Sequence, residues 1–137
     1  MNSPSSPANR PAFVSTPRKI GLLIVFAWFF FGSIGHFAAT SFFVSIVPPC
    51  IPHPEAAVYV SGVFEMLGAL GILFRPTRQL AGYGLALLTL CVTPANVHMW
   101  LHPALYPMFP PVLLLARLFV QVLLLWCILW STRSPAR

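Results

Sequence analysis

The stretch "YVSGVFEMLGALGILF", residues 59–74, is apolar almost throughout, yet it carries a glutamate, Glu65, in its middle. A run of this kind approaches the ~20 residues that a membrane-crossing helix needs. A lone charge at the bilayer centre costs about 2.5 to 3.5 kcal/mol, so such groups face a bundle interior and take a partner. The stretch therefore predicts a membrane helix and a polar site together.

The rest of the chain has the same character. Of 137 residues, 58% are hydrophobic and 7% charged, against the ~25% charged residues of an average soluble domain. Four spans of ~20 residues would use most of the chain and leave short loops. The net charge of +6 does not indicate nucleic acid as a partner, because the basic residues are scattered between apolar blocks instead of gathered on one solvated face.

Apolar runs predict helices over 20–39, 57–74, 79–101 and 112–131. Together they form one all-α domain, residues 18–132, an antiparallel bundle of four transmembrane helices. Residues 1–17, rich in serine and proline, predict a disordered tail, and 133–137 a second short tail. The segment "SIVPPCIPHPE", 45–55, cannot continue a helix through its four prolines. "HPALYPMFPP", 102–111, is broken in the same way, and "RPTRQ", 75–79, is short enough to force a hairpin.

Orientation follows from the distribution of lysine and arginine in short loops. Arg10, Arg18, Lys19, Arg75, Arg78, Arg133 and Arg137 fall on one side of such a bundle, and the two proline-rich loops carry neither lysine nor arginine. Both termini are thus expected in the cytoplasm, with the chain a multi-pass protein of a bacterial inner membrane.

The eighth basic residue, Arg117, lies inside the fourth run and is the natural counterpart of Glu65. At ~1.5 Å rise per residue, both sit roughly 8 to 12 Å below the external ends of their helices, so an ion pair between them is expected. His36 and Asn96 fall in the same outer layer. Gln121 is four residues after Arg117 and Ser61 four before Glu65, which places each on its neighbour's face. The six residues His36, Ser61, Glu65, Asn96, Arg117 and Gln121 form the expected ligand pocket. Gly62, Gly68 and Gly71 suit close helix approach, and Pro94 suits a kink beside Asn96.

Other features point less far. Cys91 and Cys127, inside apolar runs, read as buried packing residues. Cys50 and His53 share a loop, where a cation beside a thiol would favour thiolate chemistry. His98 and His102 have an i, i+4 spacing that suits a metal, but no third ligand follows at motif spacing, so no metal site is expected. The interfacial aromatics are Tyr59 and Trp100, while Phe29, Phe30 and Phe31 read as lipid-facing.

Taken together, "GHF" (35–37), "IVPPCIPHP" (46–54), "VYVSGVFEMLGALG" (58–71), "RPTRQLAGYGL" (75–85), "PANVHMW" (94–100) and "RLFVQ" (117–121) resemble the DoxX-like family of small four-helix membrane proteins. The resemblance implies a four-helix bundle with His36, Glu65, Asn96, Arg117 and Gln121 at the family's polar positions. Phe119 stands where the family commonly has proline, and Thr93 where an aromatic residue often precedes Pro94. Some similar proteins belong to quinone-linked oxidoreductase assemblies, so the resemblance implies a quinone-like ligand and a redox-complex or other membrane-protein partner. A second copy of the chain is a further candidate partner.

The chain carries no complete catalytic motif and no cofactor-binding signature. Under this reading Arg117 and Asn96 would bond ligand oxygens, His36 would relay protons and Glu65 would fix Arg117. The alternative is a non-catalytic scaffold or assembly factor whose polar layer is structural.

Overall fold

A computed structural model describes residues 15–133. Within them lie five α-helices and one 3-10 turn: α1 (Thr16–Ala38), α2 (Thr40–Ser45), α3 (Pro54–Gly71), α4 (Arg78–Leu101), the turn Pro103–Leu105, and α5 (Pro111–Thr132). No strand occurs among the described residues. The expected tails at 1–14 and 134–137 lie outside the described residues. The boundary expected at residue 17 moves, since α1 already begins at Thr16 with Pro17 in its first turn, where a missing N–H costs nothing.

Three helices are long and apolar enough to cross a membrane: α1 with 23 residues, α4 with 24 and α5 with 22. The remaining long helix, α3, has 18 residues and carries both Glu55 and Glu65. It starts and stops three residues earlier than the apolar run 57–74 suggests, because Pro54 is well suited to a first turn and the chain begins to turn after Gly71.

The four long helices form a ring in the order α1, α3, α4, α5, each packed on the next and α5 on α1. Cross-helix contacts show that neighbours run antiparallel. Ser33 meets Gly62 while His36 meets Val58, and Thr89 meets Gln121 while Asn96 meets Arg117. α3 and α5 are therefore diagonal partners. This ordering governs which polar groups can touch.

Near the end where α1 starts and α5 finishes, Val25, Phe29, Ala69, Ile72, Leu85, Ala86, Leu124 and Ile128 form a dry core. The helices come close there because Gly82 has no side chain; a Cβ at that position would overlap the Thr132 side chain. Phe29 belongs to this core, only 4% exposed, so it does not point outward as expected, and Phe30 is partly buried against the same core; Phe31 is exposed. At the opposite end, α2 folds across the bundle. Ile46, Met99, Tyr106 and Leu114 form a second cluster there, and the Tyr106 hydroxyl donates to Ser45 O at 3.0 Å. Burial holds the Tyr106 phenol above its ordinary pKa.

Candidate functional site

Between the two clusters the ring opens into a cavity of about 1160 Å³. Its lining includes His36, Ser61, Glu65, Asn96, Arg117 and Gln121, with apolar side chains from all four long helices and from α2. The polar groups divide into two sets on opposite pairs of helices.

The first set joins α1 to α3. His36 Nδ1 lies 3.0 Å from Val58 O and 2.9 Å from Ser61 Oγ, and Ser61 Oγ donates to Val58 O at 2.9 Å. A carbonyl oxygen can only accept, so contact with Val58 O favours the tautomer with its proton on Nδ1. That leaves Nε2 turned to Glu65, whose Oε1 is 3.7 Å away. This is ion-pair distance, longer than a direct hydrogen bond. Glu65 Oε2 is buried with no hydrogen-bond partner among the described residues. It lies against Gly32, where a Cβ would stand 2.9 Å from it. Phe43 from α2 covers the imidazole, with ring centroids 4.1 Å apart.

The second set joins α4 to α5. Arg117 Nη2 donates to Asn96 Oδ1 at 2.9 Å, and Asn96 Nδ2 donates to Gln121 Oε1 at 2.6 Å. Gln121 Nε2 in turn donates to Thr89 O at 2.8 Å and to Thr93 Oγ1. Thr93 Oγ1 itself donates back to Thr89 O at 3.0 Å. Donors and acceptors thus run in one direction, from the guanidinium down to a backbone carbonyl. The remaining N–H groups of Arg117 have no protein acceptor among the described residues, and the residue lines the cavity.

The ion pair expected between Glu65 and Arg117 is not formed. Glu65 faces His36, and Arg117 faces Asn96. Depth along the helices was compatible with the pair, but α3 and α5 sit on a diagonal with the cavity between them. The roles follow suit: Asn96 spends both ends of its amide within the protein, so it orients Arg117 instead of meeting a ligand, and Glu65 does not fix Arg117.

Other residues also fall differently from expectation. Cys91 is exposed and lines the cavity, and is not a packing residue. Cys127 is half-buried, its Sγ 3.8 Å from Gly21 O. No hydrogen bond joins Cys50 to His53 among the described residues; His53 has φ of 53° ahead of Pro54 and opens α3. His98 and His102 lie against each other with tilted rings, centroids 4.4 Å apart. No group of three metal-ligating side chains occurs among the described residues. Pro94 lies inside an unbroken α4.

Thr89, Thr93, Phe43 and Gly32 were missed by sequence reading. The threonines had a signal, since positions 89, 93 and 96 share one helical face. Phe43 and Gly32 had none.

The fold and site define a helical protein with apolar, membrane-compatible helices around a partly polar cavity. Residues 25–133 match the family model described as a domain of unknown function (DUF8561), and the chain belongs to that family. No curated protein and no solved structure matches it.

Proposed function

We propose that this is a DoxX-like, four-span protein of a bacterial inner membrane whose cavity binds a quinone head group or another small amphipathic molecule, as a subunit or accessory of a redox complex. α3 serves as the fourth span: its 18 residues give ~27 Å of helix, close to the ~30 Å hydrocarbon thickness. Both termini are cytoplasmic in this reading, which the gathering of Arg18, Lys19, Arg75, Arg78 and Arg133 at one end of the bundle supports.

One observation carries the ligand assignment. Arg117 faces the cavity with donors to spare and no carboxylate in contact, opposite a histidine whose outer nitrogen looks at a carboxylate. An oxygen-bearing head group fits between them. Arg117, aimed by Asn96 and Gln121, donates to one ligand oxygen. His36 receives a proton at Nε2 from a ligand hydroxyl, and the Glu65 carboxylate stabilises the imidazolium that forms. An apolar tail leaves past Trp28, Phe31 and Val60, each lining the cavity and more than half exposed. A quinone-like molecule would supply the electron chemistry; the electrons would pass through a partner.

Mass spectrometry of small molecules retained after gentle detergent extraction tests this. The parent should carry an amphipathic molecule with an oxygenated head, and Arg117→Ala should lower its retention by roughly tenfold or more, the usual cost of a lost charged hydrogen bond. A parent that retains no such molecule overturns the assignment. For the topology, Cys50 in intact cells should react with a membrane-impermeant maleimide. Labelling only after the membrane is permeabilised would invert the orientation.

A scaffold or assembly role is favoured by one observation: the chain from Arg117 to Thr89 O ties α4 to α5 without any ligand. If the double variant Glu65→Gln with Arg117→Gln folds and supports function as well as the parent, the polar layer is structural and this second reading stands.

A further inference from the structure

The bundle end opposite the cavity gathers cations from three places in the chain. Arg18 Nη2 donates to Arg133 O, joining the start of α1 to the finish of α5. Arg78 Nε donates to Ile72 O at 2.8 Å and Nη2 to Leu73 O at 3.2 Å, stapling the turn between α3 and α4. Arg18 and Arg75 both stand near enough to Arg78 for their charges to act on it.

No acidic side chain among the described residues offsets this cluster. The whole sequence holds only two carboxylate side chains, Glu55 and Glu65. Glu55 lies in the first turn of α3, at the far end, and Glu65 faces His36. Arg18 Nε is buried and lacks an acceptor among the described residues. A buried N–H in that state is costly, and like charges held together add to the cost.

We propose that this end of the bundle binds the phosphate of an anionic phospholipid between Arg18, Arg75 and Arg78. Guanidinium forks match phosphate oxygens in pairs. The lipid source, as against free phosphate, is favoured by what surrounds the cluster: Ile20, Phe74 and Leu80 are 55%, 63% and 75% exposed beside it. Acyl chains can lie along these side chains while the phosphate stays level with the arginines. The proposal needs α1 and α4 to cross a membrane and is independent of what the cavity binds.

Native mass spectrometry of the full chain, offered equal amounts of phosphatidylglycerol and phosphatidylcholine, reads the preference directly. Phosphatidylglycerol should be retained over phosphatidylcholine, and Arg18→Gln or Arg75→Gln should each lower its retention by roughly fivefold, the contribution of one basic residue at an anionic surface. Arg75 makes no hydrogen bond among the described residues, so Arg75→Gln tests binding without disturbing a turn. Equal retention of the two lipids, or a preference that survives both substitutions, overturns the proposal. Inorganic phosphate that raises the unfolding temperature as much as phosphatidylglycerol does would make free phosphate the ligand and refute the lipid assignment.

Discussion

Around Val25, Ala69, Leu85 and Ile128 the four long helices meet through side chains with almost no exposed surface, whereas a few turns along the same helices His36, Glu65, Asn96 and Arg117 line a cavity of about 1160 Å³. The elements are the same; only the side chains change. In the dry half, glycine and alanine let backbones approach, and van der Waals packing holds them. In the cavity half, each polar group takes a partner on the adjacent helix and none spans the diagonal. The helices there are tied in two pairs, α1 with α3 and α4 with α5, and the space between the pairs stays open. Tight packing in the dry core, with the smaller cluster of Ile46, Met99, Tyr106 and Leu114 beyond the cavity, is what lets the middle remain hollow without separating.

Breaking the dry half should therefore have the largest effect. Gly82→Val places branched carbons where Thr132 stands and should destabilise the fold by about 3 kcal/mol, the upper range for overpacking. Thermal unfolding in detergent measures this. Gly84, two positions on, has nothing within 4 Å of its would-be Cβ, so Gly84→Ala should be neutral or stabilising by up to about 1 kcal/mol. Equal losses at the two glycines would show that α4 tolerates no change at all, and that the contact with Thr132 is not the reason.

Ile128→Ala comes next. Ile128 is fully buried, and a cavity left by Ile→Ala costs about 2 to 5 kcal/mol in water-soluble proteins. In the bilayer proposed above, helices that separate would expose Ile128 to lipid instead of water, so the transfer part is small and the loss should sit near 2 kcal/mol. Leu113→Ala, at a cavity-lining position 52% exposed, should change stability by less than about 0.5 kcal/mol.

The contrast also explains what the sequence could and could not disclose. Apolar length announced the four long helices, and proline announced the breaks after α2 and before α5. His36, Glu65, Asn96, Arg117 and Gln121 were legible because ionisable and amide groups are rare in such runs, Ser61 through its spacing from Glu65, and rise per residue placed the layer at one depth. Which of them touch depends on the order of helices around the ring, which periodicity does not encode. Glu65 could be assigned a depth but not a corner. The first helix was expected to end at 39 and does so within a residue, but the short helix α2 that follows was silent, since "TSFFVS" is too short to show a period; it places Phe43 over His36 and Phe42 against Phe109.

Coupling energies sharpen the comparison most finely. A double-mutant cycle on Arg117 and Asn96, using alanine at each, should give a coupling of about 1 kcal/mol or more, as expected for groups in one hydrogen-bond network. The same cycle on Glu65 and Arg117 should give less than about 0.5 kcal/mol, the range for residues without shared partners. Both cycles are read as unfolding free energies of ligand-free protein, so that a bound molecule cannot bridge the two walls. A large Glu65–Arg117 term in that state would mean that the diagonal closes and the cavity is filled by its own ions. A small term that grows when the retained molecule is restored would instead support that molecule's lying between the carboxylate and the guanidinium, because the added coupling then exists only in the bound state.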